Sequence, residues 1–314
     1  MRNPILKKEL VLGARTIKLP FALMVYSGVM SGIAVGVLAG ITSEFRYRNG
    51  VDFESLISIF LILACTQIVI IGLMLPVLTA GSIAGERERQ TLDIMLTAPI
   101  SSLTIVTGKL LSSMAHILLF VISAMPAMAV SFIYGGIEWK YLFIFFGMTL
   151  CVAFWGGAIG VYCSAAYKKT MLSIVMALAL EFIMVVGTVG VVLGIYFLQY
   201  LQNAQNEIYS SSAIYIGFWP LIVLLNPAVA FGNAMYEAYS GQNFVKMILE
   251  GSDFGRCAEF VKMIAPHWTL ISVIAVLATG MLFTVLAARK VDQVHLKEKK
   301  LSPKGEKKRK KAKA

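Results

Sequence analysis

From Leu56 to Gly81 the chain runs 26 residues without one charged side chain. As a helix, that stretch is about 39 Å long, more than the roughly 30 Å hydrocarbon thickness of a bilayer. Five further stretches are comparably apolar, at about 20–42, 103–134, 141–166, 171–199 and 268–288. In lipid every backbone N–H and C=O needs an internal partner, and long apolar runs satisfy this as helices. The pattern predicts an all-α integral membrane protein with six transmembrane helices. Composition agrees: 58% of the 314 residues are hydrophobic and 14% are charged, against about 25% charged in a soluble domain. Pro76 and Pro126 fall inside the second and third spans, and each is expected to kink its helix.

Lysine and arginine placement orients the spans. With the N-terminus inside, the inner segments hold 22 of the 28 Lys and Arg and the outer segments 6. Without the C-terminal tail the ratio is still 10 to 6. Both termini are therefore expected in the cytoplasm of a multi-pass protein of the plasma membrane. The net charge of +11 resides largely in the tail, where residues 289–314 carry 12 Lys and Arg. Low complexity and high charge predict that this tail is disordered and grazes anionic lipid, at about 1 kcal/mol per charge near the surface. No nucleic-acid partner is expected.

Residues 213–232 are apolar but interrupted by Pro220 and Pro227, and the unbroken pieces are too short to cross. They are expected to form a re-entrant or interfacial pair of short helices within an external region at 200–267. At the other end, Asn3 and Pro4 suit a helix start. Over residues 1–19, Lys7, Lys8, Arg15 and Lys18 fall in one arc, while Leu6, Leu10, Gly13 and Ile17 fall in another. This predicts an amphipathic interfacial helix, which also carries Glu9. A plain topogenic basic segment is the alternative.

Several chemistries find no footing. No Gly-x-x-x-x-Gly-Lys-Ser/Thr loop is present to cradle phosphates; Gly108-Lys109 lacks both the earlier glycine and the following hydroxyl. His116, His267 and His295 have no ligand spacing to one another, and His116 reads as an interfacial histidine. Cys65, Cys151, Cys163 and Cys257 form no Cys-x-x-Cys pair, which supports neither a metal site nor a disulfide framework. Catalytic and metal-binding residues are thus expected to be absent, and this chain is expected to hold no cofactor. Glu181 is the one acidic residue deep in an apolar run, at a cost of a few kcal/mol unless protonated, paired or hydrated. It either lines a polar cavity or conformational contact, as a candidate pathway residue, or lies nearer the inner interface than the run suggests. Gly156 and Gly160 have the Gly-x-x-x-Gly spacing of close helix packing.

The cytoplasmic segment 84–98 places Glu86, Arg87, Glu88 and Arg89 in a row, then Thr91, Leu92, Met95 and Leu96, with Pro99 as a stop. Read as a short helix, it presents Leu92, Met95 and Leu96 at i, i+3 and i+4, an anchor spacing for a partner's groove. Glu86 can pair with Arg89, and Ser101 or Ser102 can cap the third span. A solvated loop whose charges keep it inside is the alternative reading.

The stretch "GSIAGERERQTLDIMLTAPISSLTIVTGKLL" resembles the signature of ABC transporter permeases of the type-2 exporter family. The matching residues are Glu86 to Arg89, Thr91-Leu92, Met95-Leu96, Pro99 and Gly108-Lys109, with Met95 in place of the commoner leucine. The Asn-Pro start, the Lys-Lys-Glu-Leu of the N-terminal segment and the six spans extend the resemblance over a single permease domain, 1–288. The resemblance implies that segment 84–98 is a cytosolic coupling helix docking on a separate ATP-binding subunit. It further implies two such subunits, holding ATP and Mg, and a second permease, identical or homologous. On this reading the chain is the membrane-spanning part of an ATP-driven exporter and has no ATPase activity of its own. A lipid-acting membrane enzyme and a membrane scaffold or sensor remain the alternatives.

Overall fold

The structure, a computed structural model, describes residues 9, 11, 17–45, 53–92, 101–129, 138–205, 220–245, 247 and 263–311. The long helices are α1 (Lys18–Phe45), α2 (Phe53–Glu88), α3 (Ser102–Ser123) and α4 (Trp139–Ala166). There follow α5 (Thr170–Phe182), a π-helical turn (Ile183–Gly187) and α6 (Thr188–Gln205), which together form one rod. Two short helices, α7 (Pro220–Val223) and α8 (Pro227–Ser240), precede the last one, α9 (Trp268–Lys311). Six helices among the described residues are long and apolar enough to cross a membrane, and no described residue forms a strand. The protein is an all-α membrane protein. The apolar segment at 213–232 is described from Pro220 onward, as two short helices that break at Asn226-Pro227.

The bundle is organised around α4, which packs against α2, α3, α5, α8 and α9. It can sit at the centre because it carries glycine at 156, 157 and 160, where neighbouring helices come close. A Cβ at Gly160 would lie 1.7 Å from Thr79 Oγ1, and one at Gly157 would lie 2.7 Å from Leu110 Cδ1. On the far side a Cβ at Gly280 of α9 would be 2.7 Å from the Phe154 ring. These helices touch backbone to side chain, the close packing on which membrane helices rely where lipid tails compete equally for apolar surface. Around this seam lie Phe145, Phe120, Ile71 and Leu75, all buried, with Phe60 and Phe231 edge-on to Phe145. Phe21, Met24, Val29, Val69 and Leu73 remain exposed, as spans facing lipid or a second subunit require.

Two boundaries differ from expectation. The third span is interrupted at Ala124, and helical geometry follows over 125–129; residues 130–134 of the expected span lie outside the described residues. Pro126 has no N–H to give the carbonyl four residues back. By contrast α2 passes through Pro76 as one element. At the C-terminus, α9 continues through the expected start of the tail at Arg289: Ala287, Ala288 and Val291 are buried, and Ser102 donates a hydrogen bond to Asp292. The helix continues to Lys311.

The π-helical turn has an identifiable support. Asn226 is fully buried, and its carboxamide oxygen accepts from the N–H of Ala228 (2.9 Å) and Val229 (3.2 Å), capping α8. Its amide nitrogen donates to Val185 O and Thr188 Oγ1, both at 2.7 Å. One side chain thus ties the widened turn to the short helices. Asn226→Asp retains the cap and loses both donated bonds in a buried site. We expect it to lower unfolding stability by about 2 kcal/mol, read as heat resistance in detergent; stability equal to the parent would remove this role.

Candidate coupling site

The segment from Glu86 to Leu92 meets four parts of the bundle, and its alternating charges explain how. Helix α2 does not stop at the membrane edge but runs to Glu88, so Glu86, Arg87 and Glu88 form its last turn rather than a separate short helix. It ends in a tight reversal: Thr91 N–H donates to Glu86 O (2.9 Å), Gln90 N–H donates to Arg87 O (3.1 Å), and Gln90 takes φ +57°. This is the hydrogen-bond pattern of a Schellman stop, with glutamine in the left-handed position where glycine is usual.

Each charge then finds a different helix. Glu86 pairs with Lys109 of α3 at 3.0 Å, and Lys109 also reaches Glu9 at 3.2 Å. Lys109 is 3% exposed, so two carboxylates neutralise one nearly enclosed ammonium. The Arg87 guanidinium donates to Tyr167 O (3.1 Å) and Ala165 O (3.3 Å), carbonyls at the end of α4 that lack helical donors. Glu88 accepts from the Thr170 N–H (3.0 Å) and Thr170 Oγ1 (2.6 Å), at the first residue of α5. A cation sits at a helix C-terminus and an anion at a helix N-terminus, the signs that complement both helix dipoles. Deeper in, Ser164 Oγ accepts from the N–H of Ile83 and Ala84 (2.8 and 2.9 Å), fastening α4 to α2.

Leu92 follows the reversal and is 1% exposed, packed among Ile83, Val106, Leu110, Val161 and Val291. It does not face a partner, as the helical spacing predicted; the reversal at Gln90 turns it back under the bundle. Nor does Glu86 take up the expected pairing with Arg89, because Lys109 offers a drier and closer partner. Arg89 and Thr91 are exposed. Met95, Leu96 and Pro99 lie outside the described residues, as do Lys7, Lys8 and Arg15; of Lys18 only the backbone is described. Among the described residues Glu9 is the charged residue of the expected amphipathic helix whose side chain is placed, and it lies on Lys109. Ser101, not Ser102, caps α3, accepting from the Thr104 N–H at 3.2 Å. A cleft of about 510 Å³ opens beside this network, lined by Glu9, Glu86, Arg89, Lys109 and His116. His116 Nδ1 is 2.7 Å from Ser112 O, in keeping with a satisfied interfacial histidine.

Lys109, Ser164, Tyr167 and Thr170 are the site residues that the sequence did not single out as such. Lys109 was visible as a lysine within an apolar span. The other three had no signal, since they contribute a hydroxyl or a carbonyl whose value depends on which helix end lies opposite.

The family model for ABC-2 family transporter protein matches residues 16–295 of this chain. The chain belongs to the ABC-2 transporter family. No curated protein matches it significantly. As an ABC-2 permease it is the membrane component of an ABC transporter, a family that generally works with an ATP-binding subunit. The readings as lipid-acting enzyme or scaffold give way to this one.

The permease has a second polar position, away from the coupling site. Glu181 stands eleven residues into the span Thr170–Ile195, about 16 Å along a helix of about 39 Å. Among the described residues no group of His, Cys, Asp and Glu could hold a metal. Cys65, Cys151 and Cys163 are free thiols.

Proposed function

We propose that this permease forms the substrate path of an ATP-driven exporter and takes its motion from a separate ATP-binding subunit docked below Arg89. The observation that carries this reading is the wiring of one short segment to α3 through Glu86, to α4 through Arg87 and to α5 through Glu88. A displacement applied to that segment cannot move α2 alone. It pulls on three more spans through charge-assisted bonds, which are short and directional. Glu9, joined to Lys109, would bring the N-terminal amphipathic segment into the same motion.

In this account Arg89, Met95 and Leu96 offer the partner-facing surface, and Leu92 anchors that surface from beneath. Two permeases and two ATP-binding subunits complete the transporter, ATP and Mg being held by the latter. ATP-driven closure of the ATPase pair would push the coupling segments together and switch the spans between inward and outward openings. Both termini lie in the cytoplasm at the plasma membrane, where the basic tail meets anionic lipid.

The test is purification from native membranes in mild detergent with an assay for co-purifying ATPase activity. We expect an ATPase to accompany the parent and to be lost, by about tenfold or more, with Leu96→Asp or Arg89→Glu while the spans stay folded. Retention of the ATPase in both variants, or its absence from the parent, would refute the docking. Leu92→Asp is unsuitable, since it places a charge in the buried cluster.

A further inference from the structure

Along the flank of the bundle, α2, α4, α5, the π-helical turn and the start of α8 line an apolar pocket of about 560 Å³ that opens sideways past Val69, Leu73 and Phe182, all exposed. That volume lies within the range of small-molecule sites, about 300–1,000 Å³. Its wall is almost wholly apolar, built from residues such as Ile68, Leu75, Val152 and Val185. One ionisable group lines it. Glu181 is 8% exposed, and its Oε1 has no hydrogen-bond partner. The carboxyl is pressed against bare backbone of α4: a Cβ on Gly156 would lie 2.9 Å from Oε1. Trp155 lines the same cavity, is 2% exposed, and its indole N–H also lacks a partner.

A carboxyl without a partner in an apolar chamber is costly, by several kcal/mol when ionised. Packing or capping roles do not offset that cost here, because Oε1 accepts nothing. A charge of opposite sign does, provided the rest of the ligand is apolar enough to wet the wall. The neighbouring indole adds the electron-rich face on which organic cations rest.

We propose that this cavity is a binding site for lipophilic organic cations, with Glu181 as the counter-charge, Trp155 as the aromatic wall and Gly156 giving the carboxyl its room. The proposal rests on the reading of these spans as the substrate path, and it names the substrate class as an apolar body carrying a single positive charge. Inorganic cations lack the apolar surface, and neutral lipids leave the carboxyl unmatched.

Binding of tetraphenylphosphonium to the purified permease in nanodiscs, without nucleotide or ATP-binding subunit, tests this by equilibrium dialysis. We expect saturable binding, weakened about tenfold or more by Glu181→Gln, with neutral triphenylphosphine oxide binding both forms alike. Gly156→Ala, which crowds the carboxyl without removing it, is expected to weaken cation binding as well; a monodisperse elution profile in both variants ensures that folding is not the cause. Equal binding of tetraphenylphosphonium to the parent and Glu181→Gln, or no saturable binding to the parent, would overturn the site. Since no ATPase enters the measurement, failure of ATPase docking leaves this result standing, and the reverse holds too.

Discussion

Lys109→Met is expected to destabilise the permease by about 2 kcal/mol and to detach the N-terminal segment from the bundle. The substitution keeps the length and apolar stem of the side chain but removes the charge between Glu9 and Glu86. Breaking a buried ion pair from one side costs about 3–5 kcal/mol, because the remaining charge loses both water and partner. The lower figure applies because Glu9 and Glu86 retain 31% and 19% exposure, so water screens part of the loss. Two carboxylates that shared one ammonium would also repel each other. Adding Glu86→Gln to Lys109→Met removes one of the orphaned charges and is expected to recover about half of the loss. Heat resistance in detergent reads the stability, and protease sensitivity of the N-terminal segment reads the detachment. If the double variant is no better than Lys109→Met, the network contributes packing rather than charge. Proteolysis unchanged from the parent would show that Glu9 is held by something other than Lys109.

Gly160→Ala is expected to have the larger structural effect. One added methyl would sit 1.7 Å from Thr79 Oγ1 and 2.8 Å from Thr79 Cβ. Thr79 cannot step aside: it is fully buried, β-branched, and donates from Oγ1 to Leu75 O at 2.7 Å. The helices themselves must separate, which opens the seam at Leu75 and Gly157 and strains the Ser164 bonds to Ile83 and Ala84. Overpacking of this kind costs about 3 kcal/mol, enough to remove most of the monodisperse protein. Thr79→Gly combined with Gly160→Ala moves the bare position from one helix to the other and is expected to restore part of the yield. Parent-like heat resistance in Gly160→Ala alone would mean that α2 and α4 are not in this contact in the membrane.

The coupling segment shows why one half of its chemistry was legible and the other was not. The order Glu-Arg-Glu-Arg is a local pattern, and its position between two apolar runs marked it as cytoplasmic and distinctive. What the charges touch is not local. Arg87 meets carbonyls 78 and 80 residues away, Glu88 meets a helix start 82 residues away, and Lys109 reaches back 100 residues to Glu9. No period of 3.6 contains that information. The same limit turned Leu92 inward: after the Schellman reversal at Gln90 it packs beneath the bundle, while Met95 and Leu96 lie outside the described residues.

The sequence by itself determined that this chain is a six-span α-helical membrane protein, that Gly156 and Gly160 allow a close helix approach, and that the chain breaks at Pro227. Those properties follow from one-body terms: the transfer of apolar side chains to lipid, the missing N–H of proline, the missing Cβ of glycine. Only the tertiary structure decided that Glu181 lines an apolar pocket, that Asn226 supports a π-helical turn, and that three consecutive charges meet three different helices. Those are pair properties. They depend on which helix end or side chain stands opposite, and that is set when the whole bundle closes around α4.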